Sequence, residues 1–149
     1  MTARILSLFA AACLCSSLAL AEEHPAIAYR ESLMTLVGAN FGPMVAMLKG
    51  EIPWDDARMA GYGKDLKAVV GLNIMRGFPS GSDQGATKAK PEIWQNLEDF
   101  QKKLETMEME AAKLGDTIAG ADRKAIGDQI AVTGDTCKSC HDKYKKKDD

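Results

Sequence analysis

The sequence predicts an all-α protein folded as an antiparallel four-helix bundle. Three observations carry this. Apolar residues recur at gaps of three and four in four separate segments, the period of an amphipathic helix. No segment shows the strict alternation of a strand. The connections are short or moderate in length, so successive helices become antiparallel neighbours.

The chain has 149 residues, enough for one domain with a sizeable core. Its first 21 residues are expected to stand outside the fold. Arg4 gives a basic start, Ile5 to Leu20 is an apolar run, and Ala19-Leu20-Ala21 is a small-x-small cleavage site. That is the pattern of a secretory signal peptide, too short and wrongly flanked for a membrane span. Lipidation at Cys13 is the weaker reading, because Ala10-Ala11-Ala12 lacks the usual upstream leucine. No other apolar run approaches the roughly 20 residues that cross a bilayer. The mature domain, residues 22–149, is therefore expected to be exported, without a membrane span. Cleavage removes Arg4 alone among the charged residues, so the net charge falls from −2 to −3. This mild acidity argues against a nucleic-acid partner, which favours a basic face. Lys145-Lys146-Lys147 is local and is followed at once by Asp148 and Asp149.

The first helical segment, about 25–49, carries Ile27, Arg30, Met34, Val37, Phe41, Met44 and Leu48 on one stripe. Pro25 suits a first helical position, whereas Pro43 is expected to kink or split the last turns. The second segment starts near Trp54, carries Met59, Tyr62, Leu66, Val69 and Asn73, and fails at Gly77-Phe78-Pro79. Ser80 to Lys90 reads as a loop. Pro91 opens the third segment, whose stripe runs unbroken from Ile93 through Leu97, Phe100, Leu104, Met107, Ala111 and Leu114 to Ile118. Gly120 ends it. Asp122 is placed to cap the fourth segment, which carries Ile126, Ile130, Thr133, Cys137, Cys140, His141 and Tyr144 on one side. Most of the methionines read as core filler.

The stretch CKSCH, Cys137 to His141, is the chemical signal in the chain. On a helix, positions i, i+3 and i+4 share a face, so both thiols and the imidazole point into the bundle. A disulfide between residues three apart closes a loop too small to constrain the unfolded chain much. A structural zinc site needs four ligands, and no second Cys/His pair completes one. The other histidine, His24, lies at the start of the mature chain. A redox CxxC goes with a βαβ setting, which is absent. Cys-x-x-Cys-His instead marks attachment of a c-type haem, with Cys137 and Cys140 forming thioethers and His141 binding the iron. A haem needs a pocket, and Arg30 is a charge inside the first stripe. It either snorkels to water at the stripe's edge or forms a salt bridge to a haem propionate. The second accounts for a cation at the rim of a buried site.

CKSCHDKY at the C-terminus, Tyr29-Arg30-Glu31-Ser32-Leu33-Met34, Asn40-Phe41-Gly42-Pro43-Met44, Lys49-Gly50 and Pro91-Glu92-Ile93-Trp94 occur in the order found in cytochromes c′. Over essentially the whole mature chain the sequence resembles this class II cytochrome c family of bacteria. The family is itself a type example of the four-helix bundle, so the resemblance restates the fold rather than deriving it again. It implies an exported, periplasmic homodimer with one covalent haem c per chain and a five-coordinate, high-spin iron. It implies that Met34 closes the distal pocket, and that Lys145, four residues after His141, lies in the proximal pocket, within reach of a bound gas. Met34 has a second possible role as a sixth iron ligand, as in the low-spin branch of the class. The expected function is binding of nitric oxide or carbon monoxide, electron transfer with an unidentified redox partner, or both. The alternative is a one-electron shuttle with Met34 and His141 as axial ligands. Enzymatic catalysis is not expected, because no distal acid/base histidine is available.

Overall fold

The computed structural model describes residues 24–120 and 122–147. The proposed signal peptide, with Cys13 and Cys15, lies outside the described residues. Four long helices form the bundle: α1 (Pro25–Leu48), α2 (Asp56–Val70), α4 (Leu97–Ile118) and α5 (Arg123–Tyr144). Between α2 and α4 come a 3₁₀ turn (Ile74–Gly77) and the single-turn helix α3 (Glu92–Gln95). Among the described residues the only strand-like pairing is one antiparallel bridge, Ala89 to Lys145.

Each long helix starts where its chemistry dictates. Pro25 occupies the first turn of α1. Asp55 Oδ1 accepts from the Arg58 N–H at 2.9 Å, and Asp122 Oδ1 from the Ala125 N–H at 2.9 Å. These carboxylates satisfy amide donors that lack a helical partner and lie at the positive end of the macrodipole. The cap expected at Asp122 is the one observed.

Three boundaries differ from the sequence reading. Pro43 neither splits nor ends α1, which runs on to Leu48. Met44 and Met47, at 0 and 3 % exposure, anchor the turns beyond it, and that burial offsets the loss of one backbone bond. Helix α2 begins at Asp56 and stops at Val70, so Trp54 and Asn73 lie outside it. The third stripe is interrupted at Asn96, whose φ of −134° and ψ of 48° are not helical. Its N–H bonds the Glu92 and Ile93 carbonyls, while its own carbonyl accepts from Phe100, so one residue closes α3 and starts α4. Leu97, one position past the break, is consequently exposed rather than part of the core.

The core gathers Leu33, Met44, Met59, Leu66, Leu114 and Ile130, one or more from each long helix. Helices α2 and α4 come unusually close. A Cβ on Gly115 would meet the Gly63 carbonyl oxygen at 2.8 Å, so only glycine permits this approach of the two backbones. Helix α1 packs mainly on α2 and the 3₁₀ turn, and α5 mainly on α4. Direct α1–α5 contact is sparse, which leaves room for the cavity described next.

Candidate functional site

At one end of the bundle a cavity of about 630 Å³ is lined by residues of α1, the 77–90 connection, α3, α4 and α5. Its volume falls within the range of small-molecule and cofactor sites. Cys137, Cys140 and His141 all line it, as their helical spacing predicts. Arg30, Met34, Val37 and Lys145 line it too, so every residue singled out from the sequence reaches the same space.

Both thiols are free and half-buried. Burial pushes the Cys137 thiol up and the Cys140 thiol up to about 11, so both are protonated at neutral pH. Desolvation of its ring, then the charge of Lys145, lowers the pKa of His141 and favours the neutral imidazole a metal requires. Among the described residues, no three His, Cys, Asp or Glu side chains converge closely enough to hold a bare ion. The three groups of CKSCH face a common space without meeting at a common point.

Of the two roles considered for Arg30, the structure excludes the snorkelling one, because the residue is 3 % exposed. Its Nη1 donates to the Gly77 carbonyl at 2.8 Å and to Ser82 Oγ at 3.1 Å. Nη2 donates to the Ser82 carbonyl at 2.8 Å and to Thr87 Oγ1 at 2.7 Å. Its guanidinium also lies 5.3 Å from the centre of the Phe78 ring and 5.7 Å from that of Trp94. Arg30 therefore fixes the connection that supplies Phe78, Thr87, Lys88 and Ala89 to the cavity wall.

The far wall is aromatic. Phe78 and Phe100 have ring centres 4.7 Å apart, and Phe100 meets Tyr144 edge-on at 5.3 Å. Tyr144 is 2 % exposed and donates its phenol proton to Asp99 Oδ2 at 2.6 Å. Lys143 Nζ donates to the same oxygen at 2.9 Å. Just past α5 the chain becomes extended at Lys145 and pairs with the connection: Lys90 N–H donates to the Tyr144 carbonyl, and Lys146 N–H to the Lys88 carbonyl. This pairing sets Lys145 at the cavity wall.

Sequence reasoning missed Phe78, Phe100, Leu104, Met107 and Tyr144 as cavity residues. All but Phe78 lie on stripes that read equally well as ordinary core. Thr87 to Ala89 carried no signal, because they reach the wall only through Arg30 and the α5 tail.

The donor set fits a haem. Two thiols three residues apart match two vinyl groups, the adjacent imidazole matches the iron, and the walls are mostly apolar. Arg30, Lys88 and Lys145 are cations suited to propionates. A model of the cytochrome C′ family matches residues 25–145, the span that contains every element above. The chain belongs to the cytochrome c′ family. It is 35 % identical over 130 residues to cytochrome c′ of Halomonas halodenitrificans, covering 84 % of this chain and 98 % of that one. Cytochrome c prime from Shewanella frigidimarina superposes with a TM-score of 0.80 at 38 % identity, covering 85 % of this chain and 98 % of that one. A nitric oxide complex of a mutant cytochrome c prime from Alcaligenes xylosoxidans gives a TM-score of 0.75 at 31 % identity, covering 86 % and 98 %. The four-helix fold expected from the sequence is the fold of these relatives. As a cytochrome c′ the protein carries a covalently bound haem c with iron. Its family supports a c-type haem protein of electron transport or gas binding. Among the described residues no helix is long and apolar enough to cross a membrane.

Proposed function

We propose that the protein is a periplasmic receptor for nitric oxide, and for carbon monoxide, with His141 as the single protein ligand of a high-spin iron. Cys137 and Cys140 hold the group by two thioethers, and the neutral ring of His141 binds from the proximal side. Bound there, haem supplies an iron position for a diatomic gas together with a one-electron couple.

The observation that carries this reading is the face that α1 turns to the cavity. Met34, Val37 and Phe41 are apolar, Arg30, Glu31, Thr35 and Gly38 complete the share of α1 in the lining, and no second histidine lines the space. His24 caps α1, its Nδ1 accepting from the Ala26 N–H at 3.2 Å. Such a wall gives bound dioxygen no imidazole hydrogen bond. Nitric oxide binds ferrous haem most strongly and needs no such help. Its complex with a relative is consistent with this choice. Arg30, already fixed by neutral oxygens, brings positive charge to the propionates, and Lys145 offers a donor to a gas on the proximal face. The signal peptide expected at the N-terminus and the tethered cofactor both suit the periplasm, where a free haem would diffuse away. A homodimer follows from the family resemblance.

Met34 favours a second reading, because its thioether lines the same cavity. Ligation by that sulfur would raise the potential and make the protein an electron shuttle. Absorption spectra of both oxidation states, with and without nitric oxide, test the choice. In the gas-binding reading, Met34→Ala leaves the resting spectrum unchanged and raises carbon monoxide affinity on the order of tenfold, as expected for about 1.4 kcal/mol of relieved crowding. A resting spectrum that turns from low-spin to high-spin in this variant would instead establish the shuttle.

A further inference from the structure

Thirteen glycines occur in the chain, and Gly38 alone of them lines the cavity. It lies in the middle of α1, one turn beyond Met34, where glycine weakens a helix relative to alanine. The protein atoms around it do not require it. A Cβ built there meets no atom within 4 Å, and its φ is not positive. Gly63, Gly77, Gly115 and Gly127, by contrast, each sit against an atom that a Cβ would meet at 2.8 Å or closer. Gly38 is also exposed, so beside Met34 the cavity wall carries no side chain at this point.

We propose that Gly38 is the port through which a diatomic gas enters the distal side of the haem. The inference rests on the gas-binding reading above and specifies the route. Met34, Val37 and Phe41 cover the neighbouring positions of α1 with side chains, and Gly38 leaves the gap among them. A port changes how fast a ligand passes in both directions and leaves its bound state untouched. Gly38 therefore sets how fast a diatomic gas exchanges, and not which gas is held more tightly.

The test uses the haem-loaded ferrous protein with carbon monoxide as probe, and the variants Gly38→Ala and Gly38→Leu. Association and dissociation rates are expected to fall together, on the order of tenfold for leucine and less for alanine. Their ratio changes far less than either rate. Gly38→Ala is also expected to raise the melting temperature by about 4 °C, because nothing opposes its better helix propensity. Unchanged rates in Gly38→Ala and Gly38→Leu would overturn the port. So would a change confined to dissociation, which would mean that the added side chain touches the bound gas. Loss of covalent haem or an altered resting spectrum in Gly38→Ala would assign the space to the haem itself and also overturn it. Failure of the unaltered protein to bind carbon monoxide would instead remove the gas-binding reading on which the port depends.

Discussion

Arg30 shows how much one side chain organises in this molecule. A guanidinium at 3 % exposure has lost most of its hydration and is tolerable only because its donors are matched. Three segments of the connection meet those donors: Gly77, Ser82 and Thr87. Replacing Arg30 by leucine would orphan these acceptors. The expected cost is about 3 kcal/mol, the scale of several charge-assisted bonds lost together. Chemical denaturation of the haem-loaded protein measures it. Arg30→Lys should recover little, because an ammonium cannot fork to both Ser82 and Thr87. If Arg30 acts only on a propionate, both variants will shift the reduction potential while leaving stability nearly intact.

At the scale of elements, the C-terminal end of α5 is held to α4 by one shared carboxylate. Hydrogen bonds from Tyr144, first, and Lys143 hold the Asp99 carboxyl below the usual carboxylate range. A folded-state pKa lower than the unfolded one stabilises above the unfolded value, about 3.9, and that contribution vanishes as pH falls through the lower folded value. Acid should therefore loosen the junction of Tyr144 with the 88–90 segment before the bundle opens. Amide exchange at Lys90 and Lys146, compared with Asp99→Asn, checks this. Protection in the wild type should fall in acid, and the variant's should change little over the same range. Legibility in the sequence also divides by element. Helices α4 and α5 were readable because each turns a stripe of regular period inward. The α1 stripe found the helix and the cavity face, although Leu48 is exposed and Leu33 and Met47, off the stripe, are buried. CKSCH was readable because its spacing matches a helix face. The break at Asn96 was not, since the apolar pattern runs straight across it and a backbone turn leaves no mark in hydropathy. Nor was the wall built by Thr87, Lys88 and Ala89, which depends on contacts with Arg30 and Lys146 at separations of more than fifty residues.

Across the whole molecule, the cavity exists because α1 and α5 are kept apart. Each packs chiefly on one neighbour, α1 on α2 and α5 on α4, and the close glycine contact of Gly63 with Gly115 locks those two pairs together. The space left between them carries His141 on one helix and Met34 on the other. Whether these two side chains both reach the iron separates a gas receptor from an electron shuttle, and the family accommodates either activity. The electron paramagnetic resonance spectrum of the ferric, haem-loaded protein at neutral pH decides the matter most directly. A high-spin signal is the predicted result. A wholly low-spin signal would place the Met34 sulfur on the iron and contradict the account.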